Sequence, residues 1–157
     1  MRVCPALACV VHKQPDGGNV ERSDATCREQ TILVVEDADP IRKLVCAMLS
    51  QDGYQCLEAR DGTEALQVVE RAPELHLVLT DVVMPHMGGA ELARHLSVLR
   101  PEVRIIFMSG YTEDPTVRYV EQISGIYLPK PFTASALMSK VREAFEQPWN
   151  GLPMAPR

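Results

Sequence analysis

Short apolar runs alternate along this chain with longer stretches in which apolar residues recur every three or four positions. Thr31–Val35, Leu75–Thr80, Val103–Met108 and Ile126–Leu128 are rich in Val, Ile and Leu and too short for stable helices, so they predict strands. A shorter strand is expected at Tyr54–Glu58. Between the first two, Asp39-Pro40 offers a helix N-cap followed by proline at the first helical position. Ile41, Leu44, Val45, Met48 and Leu49 then form the inward face of an amphipathic helix that ends near Gly53. Asp61-Gly62-Thr63-Glu64 has capping-box spacing and opens a second helix to about Arg71. A Pro/Gly loop, Met84–Gly89, precedes a helix to about Leu99, which Arg100-Pro101-Glu102 breaks. Asp114-Pro115 repeats the cap-plus-proline device, with Val117, Val120 and Ile123 continuing the helical face. Thr133 caps a last helix that carries Leu137, Val141 and Phe145 inward.

Strands that alternate with helices in this way imply an α/β fold, a doubly wound five-stranded parallel sheet with helices on both faces. Right-handed crossovers favour strand order 2-1-3-4-5, the flavodoxin-like arrangement. In such sheets a ligand site lies beyond the strand C-termini, where the first and third strands are neighbours. Residues 1–29 show no period and read as a flexible N-terminal extension; 30–146 form the folded domain, and 147–157, with three prolines, an irregular tail.

Composition narrows the picture only slightly. A length of 157 residues, 46% of them hydrophobic, suits one domain with an adequate core. The net charge of −5 and the lack of a basic stripe argue against direct nucleic-acid binding. No apolar run approaches the roughly 18 residues needed to span a bilayer. Met1–Val11 faintly resembles a signal sequence, but its apolar core is short and Pro5 interrupts it, so a cytoplasmic location is expected. The five cysteines show no CxxC pair and no zinc-like spacing; Cys46 and Cys56 are expected as buried reduced thiols. His76, His86 and His95 read as structural or solvated residues, and Trp149 as a packing anchor or exposed side chain.

The chemistry lies at the strand ends. Glu36-Asp37 follows the first strand, Asp81 the third, Ser109 the fourth and Lys130 the fifth. Each group alone is ordinary: a solvated turn, a loop carboxylate, a chain reversal or an exposed lysine. In strand-end register they bring carboxylates, a hydroxyl and an ammonium to one pocket. Such a pocket can hold a divalent cation, offer a carboxylate nucleophile and steady a phosphoryl group.

These residues resemble the receiver domain of two-component response regulators over roughly residues 30–146. Ile32-Leu33-Val34-Val35-Glu36-Asp37 is similar to the family's first strand and acidic pair. Leu77-Val78-Leu79-Thr80-Asp81-Val82-Val83-Met84-Pro85-His86-Met87-Gly88-Gly89 resembles the phosphoacceptor strand and its Met-Pro-x-Met-x-Gly loop. Phe107-Met108-Ser109-Gly110-Tyr111 looks like the switch-hydroxyl segment of receivers attached to hybrid kinases, and Tyr127-Leu128-Pro129-Lys130-Pro131-Phe132 like the lysine-proline motif. The resemblance implies Asp81 as phosphoacceptor, Lys130 and Ser109 as phosphoryl-binding groups, and Ser109 with Tyr127 as the switch pair. It implies Mg²⁺ held by Asp37 and Asp81, by Glu36 directly or through water, and by the backbone carbonyl of Val83. The implied partner is a sensor histidine kinase or hybrid kinase, and also a histidine phosphotransfer protein, with no direct contact to nucleic acid or membrane. The implied readout surface comprises the helix begun at Asp114-Pro115, the Ile126–Leu128 strand and the Thr133 helix. No output domain follows in this sequence, so a single-domain regulator that catalyses only its own phosphorylation and dephosphorylation is the expectation. Val83 and Tyr111 flank the expected path of hydrolytic water and cannot orient it well, which implies a phosphoaspartate that is not unusually short-lived.

Two other function classes share this chemistry or topology. A haloacid-dehalogenase-type phosphohydrolase wants a general-acid Asp two residues after its nucleophile, where this chain has Val83. A flavin-binding domain wants a Ser/Thr/Gly-rich phosphate cradle after the first strand, where this chain has Glu36-Asp37-Ala38-Asp39. Site residues rather than topology separate the three.

Overall fold

The structure, a computed structural model, describes residues 30–110 and 126–151. Its elements run β1 Thr31–Val35, α1 Asp39–Gln51, β2 Gln55–Ala59, α2 Gly62–Arg71, β3 Leu75–Asp81, α3 Gly89–Leu99, β4 Arg104–Ser109, β5 Tyr127–Pro129 and α4 Ala134–Glu146. The helix expected from Asp114-Pro115 lies outside the described residues, as does the 1–29 extension. No helix among the described residues is long and apolar enough to cross a membrane.

The strands form one sheet in the order β2-β1-β3-β4-β5, and every pairing is parallel. The alternation of side chains along each strand divides the core in two. Ile32, Val34, Leu77, Leu79, Ile106 and Met108 face α1 and α4 and pack with Val45, Leu49, Leu137 and Val141. Leu33, Val35, Val78, Ile105 and Phe107 face the other way and pack with Ala65, Val69, Leu92 and Leu96 of α2 and α3. The central strands β1, β3 and β4 are therefore buried on both faces, which is why they read as nearly unbroken apolar runs rather than as alternating ones.

Two of the sequence-level caps stand. Asp61 accepts a hydrogen bond from the Glu64 amide at 2.9 Å, and Thr133 accepts one from Ala136 at 3.1 Å. The reciprocal bond of the first box shifts by one residue, because Glu64 accepts from the Arg60 amide at 2.8 Å. Three other expectations are corrected. Ala38, not Asp39, is the N-cap of α1; Asp39 sits in the first turn, where its carboxylate pairs with Arg42 and Lys43. That position also suits an anion at the positive end of the helix. The inward face of α1 is Arg42, Val45, Cys46 and Leu49, whereas Ile41 and Leu44 are exposed. Nor are Cys46 and Cys56 reduced thiols: they are joined as a disulfide linking α1 to β2.

His76 is structural, its Nδ1 accepting from the Thr31 amide at 3.1 Å; His86 and His95 are exposed. In the tail, the Trp149 indole donates to the Pro101 carbonyl at 2.9 Å and fastens the chain beyond α4 to the loop that precedes β4.

Candidate functional site

Register alone carries the candidate residues to one edge. Val35 pairs with Thr80, Asp81 with Met108 and Ser109 with Pro129. Glu36, Asp81, Ser109 and Lys130 therefore all emerge at the C-terminal end of the sheet. The Glu36 amide donates to Ala59 at 3.1 Å, and the Lys130 amide donates to the Ser109 carbonyl at 2.9 Å, so each is tied to a neighbouring strand as it leaves its own.

At this edge the Lys130 ammonium lies between two carboxylates, 2.6 Å from Glu36 Oε2 and 2.7 Å from Asp81 Oδ2. Glu36 is only 1% exposed, so its charge cannot be dispersed into water. Its second oxygen accepts from the Ala38 amide at 3.2 Å, and the second oxygen of Asp81 accepts from Val82 at 2.7 Å. Asp37 is exposed and completes an acidic group: Glu36, Asp37 and Asp81 each offer an oxygen, all within 4.8 Å of one another. Hard carboxylate oxygens so close together, with one ammonium beside them, fit a small divalent cation. Val83, two residues past Asp81, is half exposed.

Burial lifts the Glu36 carboxyl above its ordinary value; the hydrogen bond and charge of Lys130 oppose that shift without cancelling it. For Lys130 burial acts downward, but the hydrogen bonds and charges of Asp81 and Glu36 outweigh it and hold the ammonium above its usual value. Lys130 is thus firmly cationic, while Glu36 carries its charge at a cost.

The loop after Asp81 folds back tightly. Gly89 donates to the Val82 carbonyl at 3.0 Å, and a Cβ at Gly89 would run into the carbonyl oxygen of Asp81. Only glycine lets α3 begin this close to the acidic edge. On the far side of the site the Ser109 carbonyl accepts both the Lys130 amide and the Tyr127 hydroxyl, the latter at 3.1 Å. Ser109 is buried and Tyr127 half-buried, so the two residues of the expected switch are joined through one oxygen. Tyr111 lies outside the described residues.

Sequence reading missed Arg42. Its buried guanidinium donates to the Glu36 carbonyl at 2.8 Å, to Glu58 at 3.0 Å, and to Asp39. It fixes the backbone from which Glu36 and Asp37 project. A signal for it was present: an arginine in the first turn opposes the helix dipole, which marks a side chain held by particular partners. Sequence reading also turned Ile41 and Leu44 inward. Instead they line, with Met48, Pro131, Phe132 and Lys130, an apolar cleft of about 570 Å³ beside the acidic group.

The Glu36 environment has a pH signature. The folded state binds the Glu36 proton more tightly than the unfolded chain does. Its stabilising contribution is complete below the ordinary carboxylate value and is lost as pH rises through the raised folded value. In metal-free buffer Glu36→Gln, which cannot ionise, should therefore gain stability relative to wild type as pH goes from acid to neutral. Urea unfolding across that range reads the difference; a gap that stays constant or shrinks contradicts this electrostatic picture.

Comparison with known proteins places this geometry in context. The family profile of the response regulator receiver domain matches residues 32–142. The sensor kinase CckA of Brucella abortus is 38% identical over 130 residues, covering 82% of this chain and 14% of that protein. The CAI-1 autoinducer sensor kinase/phosphatase CqsS of Vibrio cholerae is 37% identical over 117 residues, so this chain spans less than a fifth of the length of either kinase. Sporulation initiation phosphotransferase F of Bacillus subtilis is 29% identical over 116 residues, covering 73% of this chain and 92% of that protein. Among solved structures, chemotaxis protein CheY4 of Vibrio cholerae superposes with a TM-score of 0.67 at 27% identity, over 74% of this chain and 98% of that one. The chain with its acidic strand-end cluster and bridging lysine belongs to the response regulator receiver domain family.

Proposed function

We propose that this chain is a cytoplasmic receiver module that accepts a phosphoryl group on Asp81 from the phosphohistidine of a sensor or hybrid kinase. The observation that carries the reading is the Lys130 ammonium seated between Glu36 and Asp81 beside exposed Asp37. Receiver domains are regulatory rather than conventional enzymes, and the only reactions proposed here are gain and loss of the chain's own phosphoryl group.

In the transfer an Asp81 oxygen bonds to phosphorus as the phosphorus–nitrogen bond of the donor breaks. The nitrogen keeps the bonding pair and takes up a proton, leaving an acyl phosphate and a neutral imidazole. Asp37 and Asp81 would hold Mg²⁺ directly, with Glu36 and the Val83 carbonyl as further donors, and the bound ion would supply positive charge for an anionic donor approaching the carboxylates. Lys130 already touches Asp81 and can turn a proton toward a phosphoryl oxygen without crossing the pocket, so its charge is preorganised. Ser109 offers a hydroxyl to another phosphoryl oxygen.

The bond from Tyr127 to the Ser109 carbonyl supports the switch. A shift of Ser109 toward a phosphorylated Asp81 moves the acceptor of the Tyr127 hydroxyl and rebalances the tyrosine's positions. The partner surface responding to it includes β5 and α4. For the donor, the cleft lined by Ile41, Leu44 and Phe132 beside Lys130 gives a protein partner apolar area to bury next to the reacting carboxylate. The likeness to receivers within sensor kinases supports relay to a histidine phosphotransfer protein, or service as a phosphate sink. Neither role involves contact with nucleic acid or membrane.

Incubation with a small acyl-phosphate donor and Mg²⁺ tests the assignment by intact mass. The wild-type protein should gain one labile phosphoryl group, and Asp81→Asn none; an equal adduct on the variant, or none on either, overturns it. Adduct lifetime is a separate matter. Val83 leaves water near Asp81 unoriented, and Tyr111 is proposed to shield the phosphoryl group. Val83→Asn or Tyr111→Glu should therefore speed decay several-fold, and unchanged decay in both rejects the idea.

A further inference from the structure

Cys46 and Cys56 lie outside the phosphoacceptor pocket, yet they share their setting with it. Arg42 and Cys46 are one turn apart on the inward side of α1, and Glu58 and Cys56 are two residues apart on one face of β2. Two braces therefore run side by side between these elements. One is ionic, from Arg42 to Glu58 at 3.0 Å, and the other is the sulfur bridge. The ionic brace also reaches the Glu36 carbonyl, so the position of α1 on β2 is communicated to the acidic edge.

We propose that Cys46 and Cys56 form a reversible thiol–disulfide modification site that reacts with low-molecular-weight disulfides of the glutathione class. Their Cα atoms are 5.7 Å apart, inside the span a disulfide needs without backbone movement. Their accessibilities are unequal: Cys46 is 8% exposed and Cys56 half-buried, so the first attack falls to Cys56. Its thiolate bonds to one sulfur of the small disulfide and expels the other half as a thiolate. The Cys46 thiolate then attacks the Cys56 sulfur and expels the second half. Two protein thiols are oxidised, one small disulfide is reduced to two thiols, and the two protons pass to the departing sulfurs. Where a glutathione pool keeps ordinary thiols reduced, such a pair follows the redox state rather than serving as a permanent staple. In the oxidised form α1 is pinned to β2 beneath its exposed Ile41 and Leu44.

The sequence provides a clean readout, because no lysine or arginine falls between Lys43 and Arg60, and trypsin releases both cysteines in one peptide, 44–60. The full chain is equilibrated with glutathione buffers of rising disulfide content, acid-quenched, alkylated and digested. The expected result is a peptide 44–60 two hydrogens lighter and unalkylated, which grows with glutathione disulfide and disappears with dithiothreitol. In peptide 44–60, Cys46→Ser should give only a glutathione adduct on Cys56, and Cys56→Ser should leave the buried Cys46 with far less adduct. Amide hydrogens of α1 should exchange about tenfold more slowly in the oxidised protein. A peptide that stays alkylated throughout, ends as a glutathione adduct, or keeps its bridge in dithiothreitol overturns the proposal, as does equal exchange in the two states. Asp81→Asn should behave as wild type does, so this result is independent of phosphoryl acceptance.

Discussion

An ammonium group held between two carboxylates is the interaction on which the rest of this site depends. Three acidic side chains gathered at one sheet edge repel one another, and Glu36 is additionally shut away from water. Lys130 relieves part of that repulsion at 2.6 and 2.7 Å, but Glu36 remains under strain from burial. The pocket is thus under-compensated by design of the fold: it keeps a demand for positive charge that a divalent cation can meet. A site already neutral would have no such demand, and one without the lysine would press the carboxylates apart or force them to take up protons.

The sheet makes this possible by bringing distant residues into register. Lys130 and Glu36 are 94 residues apart in the chain, and only the parallel order that sets β1 beside β3 and β5 beyond β4 brings them together. Holding them there falls to short backbone links. The Ser109 carbonyl receives both the Lys130 amide and the Tyr127 hydroxyl, and Arg42 grips the Glu36 carbonyl. A phosphoryl group on Asp81 would pull on Lys130 and Ser109 together, and both connect to Tyr127 through that one oxygen.

Much of this was legible in the chain itself. The apolar runs located all five strands to within a residue or so, and their ends named Glu36, Asp37, Asp81, Ser109 and Lys130, because parallel strands place their C-termini on one edge. Membership of the receiver family displaces the hydrolase and flavin alternatives, as the residues at 83 and after β1 had suggested. Less visible were features that depend on what lies across from a helix. Periodicity counted Ile41 and Leu44 as core, since it had no knowledge that Glu58 on β2 would draw Arg42 inward and rotate α1. Asp39 reads as a cap by type, yet Arg42 and Lys43 offer its carboxylate stronger partners than the helix amides do. The Cys46–Cys56 pairing was hidden for a similar reason: it joins a helix to a strand, and no local spacing announces it.

The most direct measurement is an Mg²⁺ titration of the isotopically labelled protein followed by amide NMR, comparing wild type with Asp37→Asn. Asp37 is exposed, so its replacement should leave the fold intact. The account predicts saturable shifts centred on residues 36–37 and 81–83, with affinity reduced about tenfold or more in the variant. Absence of saturable binding, shifts centred elsewhere, or equal affinity in the two proteins would contradict it.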